Sequence, residues 1–430
     1  MKIKLSKLMK STFIKSVLIM VSGTVAAQLI KMIFSPIITR LYDPSAIGVM
    51  GTFMSIIQIM IPIAAFSYPM AIVLPKYDSQ ARLLMKLSMY LSVLTAIIVG
   101  LFLFIFNDWV IKFFNIKELS SFLLFLPLVI LFTTFMMCYE QWFIRKKQFK
   151  INANSMFYQA LLIEGSKVGL GFFSPTAYVL VILSTLNNGI RGLFLYLFGR
   201  KELRESQLEK KKTNQSLFEI AKKYKDFPFL RAPQMLIDAT TQGLPILMLA
   251  SFFNAASAGF FTICNTVLAI PSSLIGNAIG NVFYPRINEA SLNKENVTKL
   301  LKKAMLALSA VGIVPFAIII VFGPWLFEFV FGSGWEVAGE YARWLALSRF
   351  FRFVNEPCIR AFPVLQAQSL HLTITIIQTI IRLVALIIGF LIFNSDIIAI
   401  GLYGVSGAII NLLIIIITIK RCKKFDNFRS

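Results

Sequence analysis

Acidic residues are scarce in this chain: 20 Asp and Glu stand against 43 Lys and Arg, and charged residues of both signs make up only 15% of its 430 residues. Soluble domains average about 25% charged and about 45–50% apolar. Here 57% of the residues are hydrophobic, so too little polar sequence remains to coat a water-soluble fold. There is a single histidine. The four cysteines, Cys138, Cys264, Cys358 and Cys422, lie far apart, which excludes a metal-ligand spacing or a disulfide framework. Nucleotide fingerprints and nucleophile constellations are lacking as well, so the sequence points to no enzyme, no cofactor and no metal. The net charge of +23 does not imply nucleic acid, because the basic residues sit in short connections rather than on one soluble face.

What is present is a succession of long apolar runs. Segments such as Leu83–Phe106, Met305–Phe322 and Leu402–Ile419 are each near the roughly 20 residues that cross a hydrocarbon core of about 30 Å. They are continuous rather than alternating, which disfavours a β-barrel. Twelve spans are expected at 12–38, 46–73, 84–106, 119–141, 152–173, 177–199, 229–252, 257–283, 303–330, 339–363, 369–393 and 397–419. The lysine-rich start runs on into the first span and reads as a retained helix rather than a cleaved signal. Lys and Arg gather in the termini and the even-numbered connections. The odd-numbered connections hold only Arg40, Lys112, Lys117 and Arg343. The positive-inside rule then puts both termini and the long Arg200–Pro228 connection in the cytoplasm.

That connection is also the seam of an internal repeat. Thr24, Gln28, Lys31 and Ser35 share one helical face of span 1. Gln234, Asp238, Thr241 and Pro245 form the matching stripe in span 7. Tyr42-Asp43-Pro44-Ser45-Ala46-Ile47-Gly48 is answered by Phe253-Asn254-Ala255-Ala256-Ser257-Ala258-Gly259, and Pro75-Lys76 by Pro285-Arg286. Repeats of this kind are a recurring basis for transporters. The expected fold is all-α and integral to the membrane, with two six-helix lobes. Residues 1–199 form the first lobe, 200–228 the connection and 229–430 the second.

The opening span leading into Leu41–Gly48, together with Lys223-Tyr224-Lys225-Asp226-Phe227-Pro228, Pro233 and Gly243-Leu244-Pro245, resembles the polysaccharide (O-antigen type) flippase family. That family belongs to the superfamily of multidrug, oligosaccharidyl-lipid and polysaccharide exporters. The resemblance spans essentially the whole chain. It implies a central cavity reached alternately from each side of the bacterial cytoplasmic membrane, and an undecaprenyl-diphosphate-linked glycan as cargo for O-antigen or capsule assembly. Membrane lipids and the glycan polymerase machinery are the implied partners, and nucleic acid is not one. Two alternatives stay open. One is a cation-coupled drug or metabolite exporter of the same superfamily, expected to carry acids and aromatics rather than arginines. The other is a membrane glycan polymerase or ligase, disfavoured by the short external connections.

Ionisable groups inside spans are costly and face a cavity or each other. Candidate substrate contacts are Lys31, Arg191, Arg349, Arg352 and Arg382, whose guanidinium groups offer a diphosphate bidentate hydrogen bonds. The amides Gln28, Asn277 and Asn281 suit sugars, as do Gln234, Asn187, Asn188 and Gln378. Asp238, Glu164 and Glu356 are candidates for coupling or gating, with a Lys31–Asp238 pair as a candidate gate. Each has a structural reading beside it. Glu164 and Lys167 are spaced to neutralise each other, and Arg352, Glu356 and Arg360 to form an ion-pair ladder. Glu140 falls near Arg145-Lys146-Lys147 at the interface. His371 suits a polar cap, and Gln215–Phe227 an amphipathic helix on the inner leaflet.

Overall fold

A computed structural model of the chain describes residues 12–115, 117–208, 216–271, 277–365 and 367–427. The lysine-rich start lies outside them. The long helices are α1 (Thr12–Leu41), α2 (Pro44–Ala64), α3 (Asp78–Phe114), α4 (Leu126–Arg145), α5 (Phe149–Gly171), α6 (Ala177–Leu208), α7 (Ala232–Phe252), α8 (Ala255–Pro271), α9 (Val297–Phe331), α10 (Glu336–Val354), α11 (Gln368–Leu391) and α12 (Asp396–Asn427). Among the described residues, nine of these are long and apolar enough to cross a bilayer. The other three are α5, α8 and α10. Helix α8 is apolar but short, whereas α5 and α10 carry polar groups, and these complete the twelve.

In hydrocarbon every backbone polar group must be satisfied inside the protein, which is why the spans are helices. Buried hydroxyls obey the same constraint by bonding back to their own helix: Thr52 donates to the Gly48 carbonyl (2.7 Å), Ser88 to Leu84 (2.7 Å) and Thr418 to Ile414 (2.7 Å). The outward faces are apolar, with Phe104, Leu306 and Leu391 more than two-thirds exposed. Span 2 ends earlier than its hydropathy suggests. Helix α2 stops at Ala64, and Phe66 and Ser67 adopt positive φ before a 3-10 turn over Tyr68–Val73. Helix α3 bends at Phe106, where the backbone leaves helical geometry.

By contact the chain divides into two compact units, Met1–Ser251 and Phe252–Ser430. Helix α7 falls in the first unit: a Cβ at Gly243 would touch Ser55 of α2, and the Ser251 carbonyl accepts a hydrogen bond from Asn115 (3.0 Å). The packing pairs recur six helices apart. In the first unit α3 packs on α4, α2 on α4, α4 on α6 and α5 on α6. In the second, α9 packs on α10, α8 on α10, α10 on α12 and α11 on α12.

Small residues set these contacts and reveal the direction of each span. Gly23 lies against Ala153, and Tyr42 lies against Gly171 with its hydroxyl on the Lys167 carbonyl (2.8 Å). Helices α1 and α5 therefore run parallel, as two odd-numbered spans must. Along α4 and α6, Phe132 meets Gly189 and Phe135 meets Gly192, again parallel. Helices α9 and α10 are antiparallel, with Phe353 on Gly312 and the Gly339 backbone on Gly323. Close approach through small residues is how spans associate where lipid is as apolar as the helices.

The connecting segment adds to the expectation. It forms a helix over Leu217–Lys223 with a Ser216–Glu219 capping box, and one side of it packs on protein while Phe218 is left exposed. Ile220 is fully buried with Tyr68, Ile72, Trp142, Phe143 and Leu195, and the Tyr68 hydroxyl donates to the Ala221 carbonyl (3.1 Å). The 3-10 turn after α2 supplies a protein groove that a linear sequence does not announce. In the second unit, exposed Glu295 accepts from Arg286 (3.2 Å), which holds its carboxyl below the ordinary range.

The Gly323–Gly339 contact gives a direct test. Replacing Gly339 by leucine drives a side chain into the α9 backbone, an overpacking worth about 1–3 kcal/mol. The expected result is a lowered thermal midpoint of the purified protein in detergent, whereas leucine at the lipid-facing Val314 leaves the midpoint unchanged.

Candidate functional site

Most of the in-span charges gather into one polar cluster in each unit. In the first unit, α1, α4, α5 and α6 converge on a mixed cluster. Lys167 pairs with Glu164 one turn earlier (3.0 Å), as the i,i+3 spacing predicts. Arg191 of α6 pairs with Glu140 of α4. Lys31 of α1 is open on one side yet within electrostatic range of Glu164, Lys167 and Arg191. An amide chain continues the cluster: Gln159 donates to Asn187, Asn187 to Asn188 (3.3 Å) and Asn188 to the Thr133 hydroxyl (2.8 Å). Three cations thus meet two carboxylates, and α4, α5 and α6 are tied together by polar bonds at membrane depth.

Several expectations change here. Glu140 does not join Arg145 and Lys146, because Asp78 at the start of α3 takes both, at 2.9 and 2.5 Å. Freed from them, Glu140 turns inward to Arg191. Asp238 is exposed on α7 and makes no ion pair among the described residues. Lys31 therefore does not pair with it, because α1 packs along α5 and brings Lys31 to the Glu164–Lys167 pair instead. Gln28 is half-buried on the same helix as Lys31.

The second unit holds a cluster of one sign. Arg349 of α10 donates to Asn265 of α8. Arg382 of α11 lies over the Tyr403 ring of α12, 3.7 Å from its centroid, close enough for a strong cation–π contact. Arg352 is exposed one turn beyond Arg349, and all three guanidinium groups feel one another. No carboxylate pairs with any of them among the described residues. The Arg382 Nε and the Gln378 Nε2, one turn apart on α11, are buried donors without a partner.

The row Arg349, Arg352, Glu356, Arg360 is not carried by one uninterrupted helix. Helix α10 ends at Val354, and Asn355 and Pro357 open a short helix over Glu356–Ala361. Glu356 bonds to Arg360 (3.0 Å) on that short helix, so it does not neutralise Arg349 or Arg352. The side chains of Asn277, Asn281 and His371 lie outside the described residues.

Sequence reasoning missed Asn265, Tyr403, Asn355 and Asn411. The last two are buried and joined to each other (3.2 Å). It also missed Asp396 at the head of α12, which accepts from Tyr341 (2.6 Å) and Ser257 (2.5 Å) and clamps α8, α10 and α12. Asn265, Asn355, Tyr403 and Asn411 find their partners on other helices, which no spacing along one helix announces, and Asp396 sits at a span edge where acids are ordinary.

Solved structures share this architecture. The lipid II flippase MurJ in an inward closed conformation matches with a TM-score of 0.69 at 14% identity, over 96% of this chain and 90% of that one. The Vibrio cholerae MATE transporter VcmN matches with a TM-score of 0.55 at 15% identity, over 96% of each chain. A multidrug resistance MATE transporter of the MOP superfamily in an outward-facing conformation matches at 0.56 and 12% identity, over 96% of this chain and 95% of that one. No curated protein matches the sequence. The fold shared with these flippase and MATE structures is that of an all-α polytopic membrane protein. Residues 37–340 match the family described as polysaccharide biosynthesis protein, and the protein belongs to that family.

The Arg191–Glu140 pair yields a second test. Breaking a buried pair leaves one charge uncompensated, a loss of about 3–5 kcal/mol when burial is complete and less here, where both side chains keep some exposure. Glu140→Gln is expected to lower the thermal midpoint clearly, and Glu140→Gln with Arg191→Gln to restore much of it. A loss in the double variant equal to the sum of the losses of Glu140→Gln and Arg191→Gln would show that the two residues act independently.

Proposed function

We infer that the protein is a flippase. It moves a polyprenyl-diphosphate-linked oligosaccharide across the bacterial cytoplasmic membrane by alternating access, for surface polysaccharide assembly. The carrying observation is the cluster of Arg349, Arg352 and Arg382 without a facing carboxylate. A lipid diphosphate brings about two negative charges and an array of oxygens, which arginine forks bind bidentately. Three guanidinium groups held together in a membrane protein repel one another, and a passing dianion relieves that repulsion. Cys264 and Asn265 lie beside Arg349, and Gln378 lies one turn from Arg382. An amide and a hydrogen-bond donor thus stand ready for the oxygens beyond the phosphates. Family membership supports the polysaccharide pathway, and the higher of the compared TM-scores belongs to a lipid II flippase. The basic cluster weighs against a carrier of cationic drugs, which an arginine-lined site would repel.

In this reading residues 1–199 and 229–430 work as two lobes joined by 200–228, and both termini face the cytoplasm. Lys31, Gln28 and Arg191 of the first lobe contact the headgroup, with Glu164 available to exchange its bond with Lys167 during transport. Asn277 and Asn281 would serve the sugars and Asp238 would act in gating. Undecaprenyl-diphosphate-linked glycan, surrounding lipid and a downstream polymerase are the partners.

In a deletion strain without a second flippase, surface glycan is expected to vanish while its lipid-linked precursor accumulates inside. Arg382→Ala is expected to slow recovery of surface glycan by about tenfold or more, since a hydrogen bond to a charged group contributes about 1.5–3 kcal/mol. Arg382→Lys should recover only part of the rate. Full surface glycan in an Arg349, Arg352, Arg382 triple alanine variant of normal abundance would refute the assignment.

A further inference from the structure

The first unit contains an apolar cavity of about 520 Å³ between α3, α4 and α6. Met89, Val93, Phe132, Phe135, Gly189 and Leu193 are among its walls. Its one polar wall residue, Ser92, spends its hydroxyl on the Met89 carbonyl (3.0 Å), so nothing in it can hold water, and apolar cavities of this kind stay dry. The mouth opens sideways. Val93 and Leu193 are about half exposed, and they merge with Tyr90, Leu94 and Ile97 on the lipid-facing side of α3 and with Tyr196 and Leu197 on α6. In a bilayer, a dry recess opening onto the hydrocarbon is filled by hydrocarbon.

The surface below the mouth identifies which lipid. Lys86, Tyr90 and Val93 follow one another at helical spacing on α3, so they share a face. Lys86 is exposed and makes no ion pair among the described residues. It stands seven residues before Val93, about 10 Å along the helix axis at 1.5 Å per residue, on the basic side of the membrane. Its ammonium, with Arg82 one turn nearer the basic side and over the Trp142 ring, matches a phosphate whose acyl chain turns into the cavity. Tyr90 between them offers the amphipathic ring that favours the headgroup boundary.

We propose that this recess is a binding site for one acyl chain of an anionic phospholipid, whose phosphate rests on Lys86. The site is separate from the arginine cluster and does not depend on what the protein carries. Its back wall matters, however. Leu186, Gly189 and Ile190 alternate along α6 with Asn187, Asn188 and Arg191, which bond to α5 and α4. A chain seated between α4 and α6 therefore braces the spacing that the Asn188–Thr133 and Arg191–Glu140 contacts bridge from the other face. Beside the recess the same two helices pack through Phe132 on Gly189 and Phe135 on Gly192.

The full chain, reconstituted in nanodiscs with a phospholipid carrying a photoreactive diazirine on its acyl chain, tests this. One arm uses phosphatidylglycerol and the other phosphatidylcholine, with adducts mapped by mass spectrometry. Adducts are expected to concentrate on Met89–Val93 and Leu186–Leu193. Lys86→Gln should lower the phosphatidylglycerol adduct about fivefold, the value of one lysine charge at a membrane surface, and leave the phosphatidylcholine adduct unchanged. Leu193→Trp, or Val93→Phe should that variant fail to fold, should remove both. Adducts spread evenly around the helices, or unaffected by either cavity substitution, would overturn the proposal. So would a phosphatidylglycerol adduct that polyprenyl phosphate displaces and unlabelled phosphatidylglycerol does not. Export activity of the Lys86 variant keeps this outcome distinct from the cargo assignment.

Discussion

Polar groups in hydrocarbon must find partners within the protein, and that constraint orders everything else in this molecule. It makes every span a helix, sends buried serines and threonines back to their own carbonyls, and allows charges only where other groups answer them. The first unit answers them with carboxylates. Glu164 holds Lys167 and Glu140 holds Arg191, while an amide chain from Gln159 to Thr133 satisfies what the charges leave. The second unit answers two arginines with an asparagine and an aromatic face, and leaves buried donors on Arg382 and Gln378 unmet.

That asymmetry separates structural charges from those suited to a ligand. A cluster that is locally neutralised fixes the register of its helices, as buried pairs do in other settings. A cluster of one sign stores repulsion that only an added counter-charge relieves. Each unit contains elements of both kinds. Lys31 is a surplus cation in the first unit, and Asp396 is a satisfied carboxylate in the second, held by Tyr341 and Ser257. The balance differs between the two units, even though their packing pairs repeat six helices apart.

Much of this was legible in the sequence, and what was not has a common cause. Hydropathy located the apolar spans because each needs only its own residues. The short apolar α8 and the more polar α5 and α10 were assigned with the others, and the alternation of loop charge agrees with all twelve. Glu164–Lys167 was legible because both residues lie on one helix. Arg191–Glu140 was not, because its formation depends on Asp78 drawing Arg145 and Lys146 away. The Lys31–Asp238 pairing failed for a similar reason: equivalent places in a repeat do not imply contact, and α1 packs on α5. The connecting helix showed its amphipathic pattern plainly, but the groove that receives Ile220 is made by a 3-10 turn more than a hundred residues earlier in the chain.

The central claim is that the arginines of α10 and α11 hold the diphosphate of a lipid-linked glycan. Native mass spectrometry of the purified protein incubated with undecaprenyl diphosphate measures this most directly. The account predicts a one-to-one complex that weakens with added salt and disappears when Arg349, Arg352 and Arg382 are replaced by glutamine in a protein of unchanged thermal midpoint. Binding of the lipid at equal strength by that triple variant would contradict it.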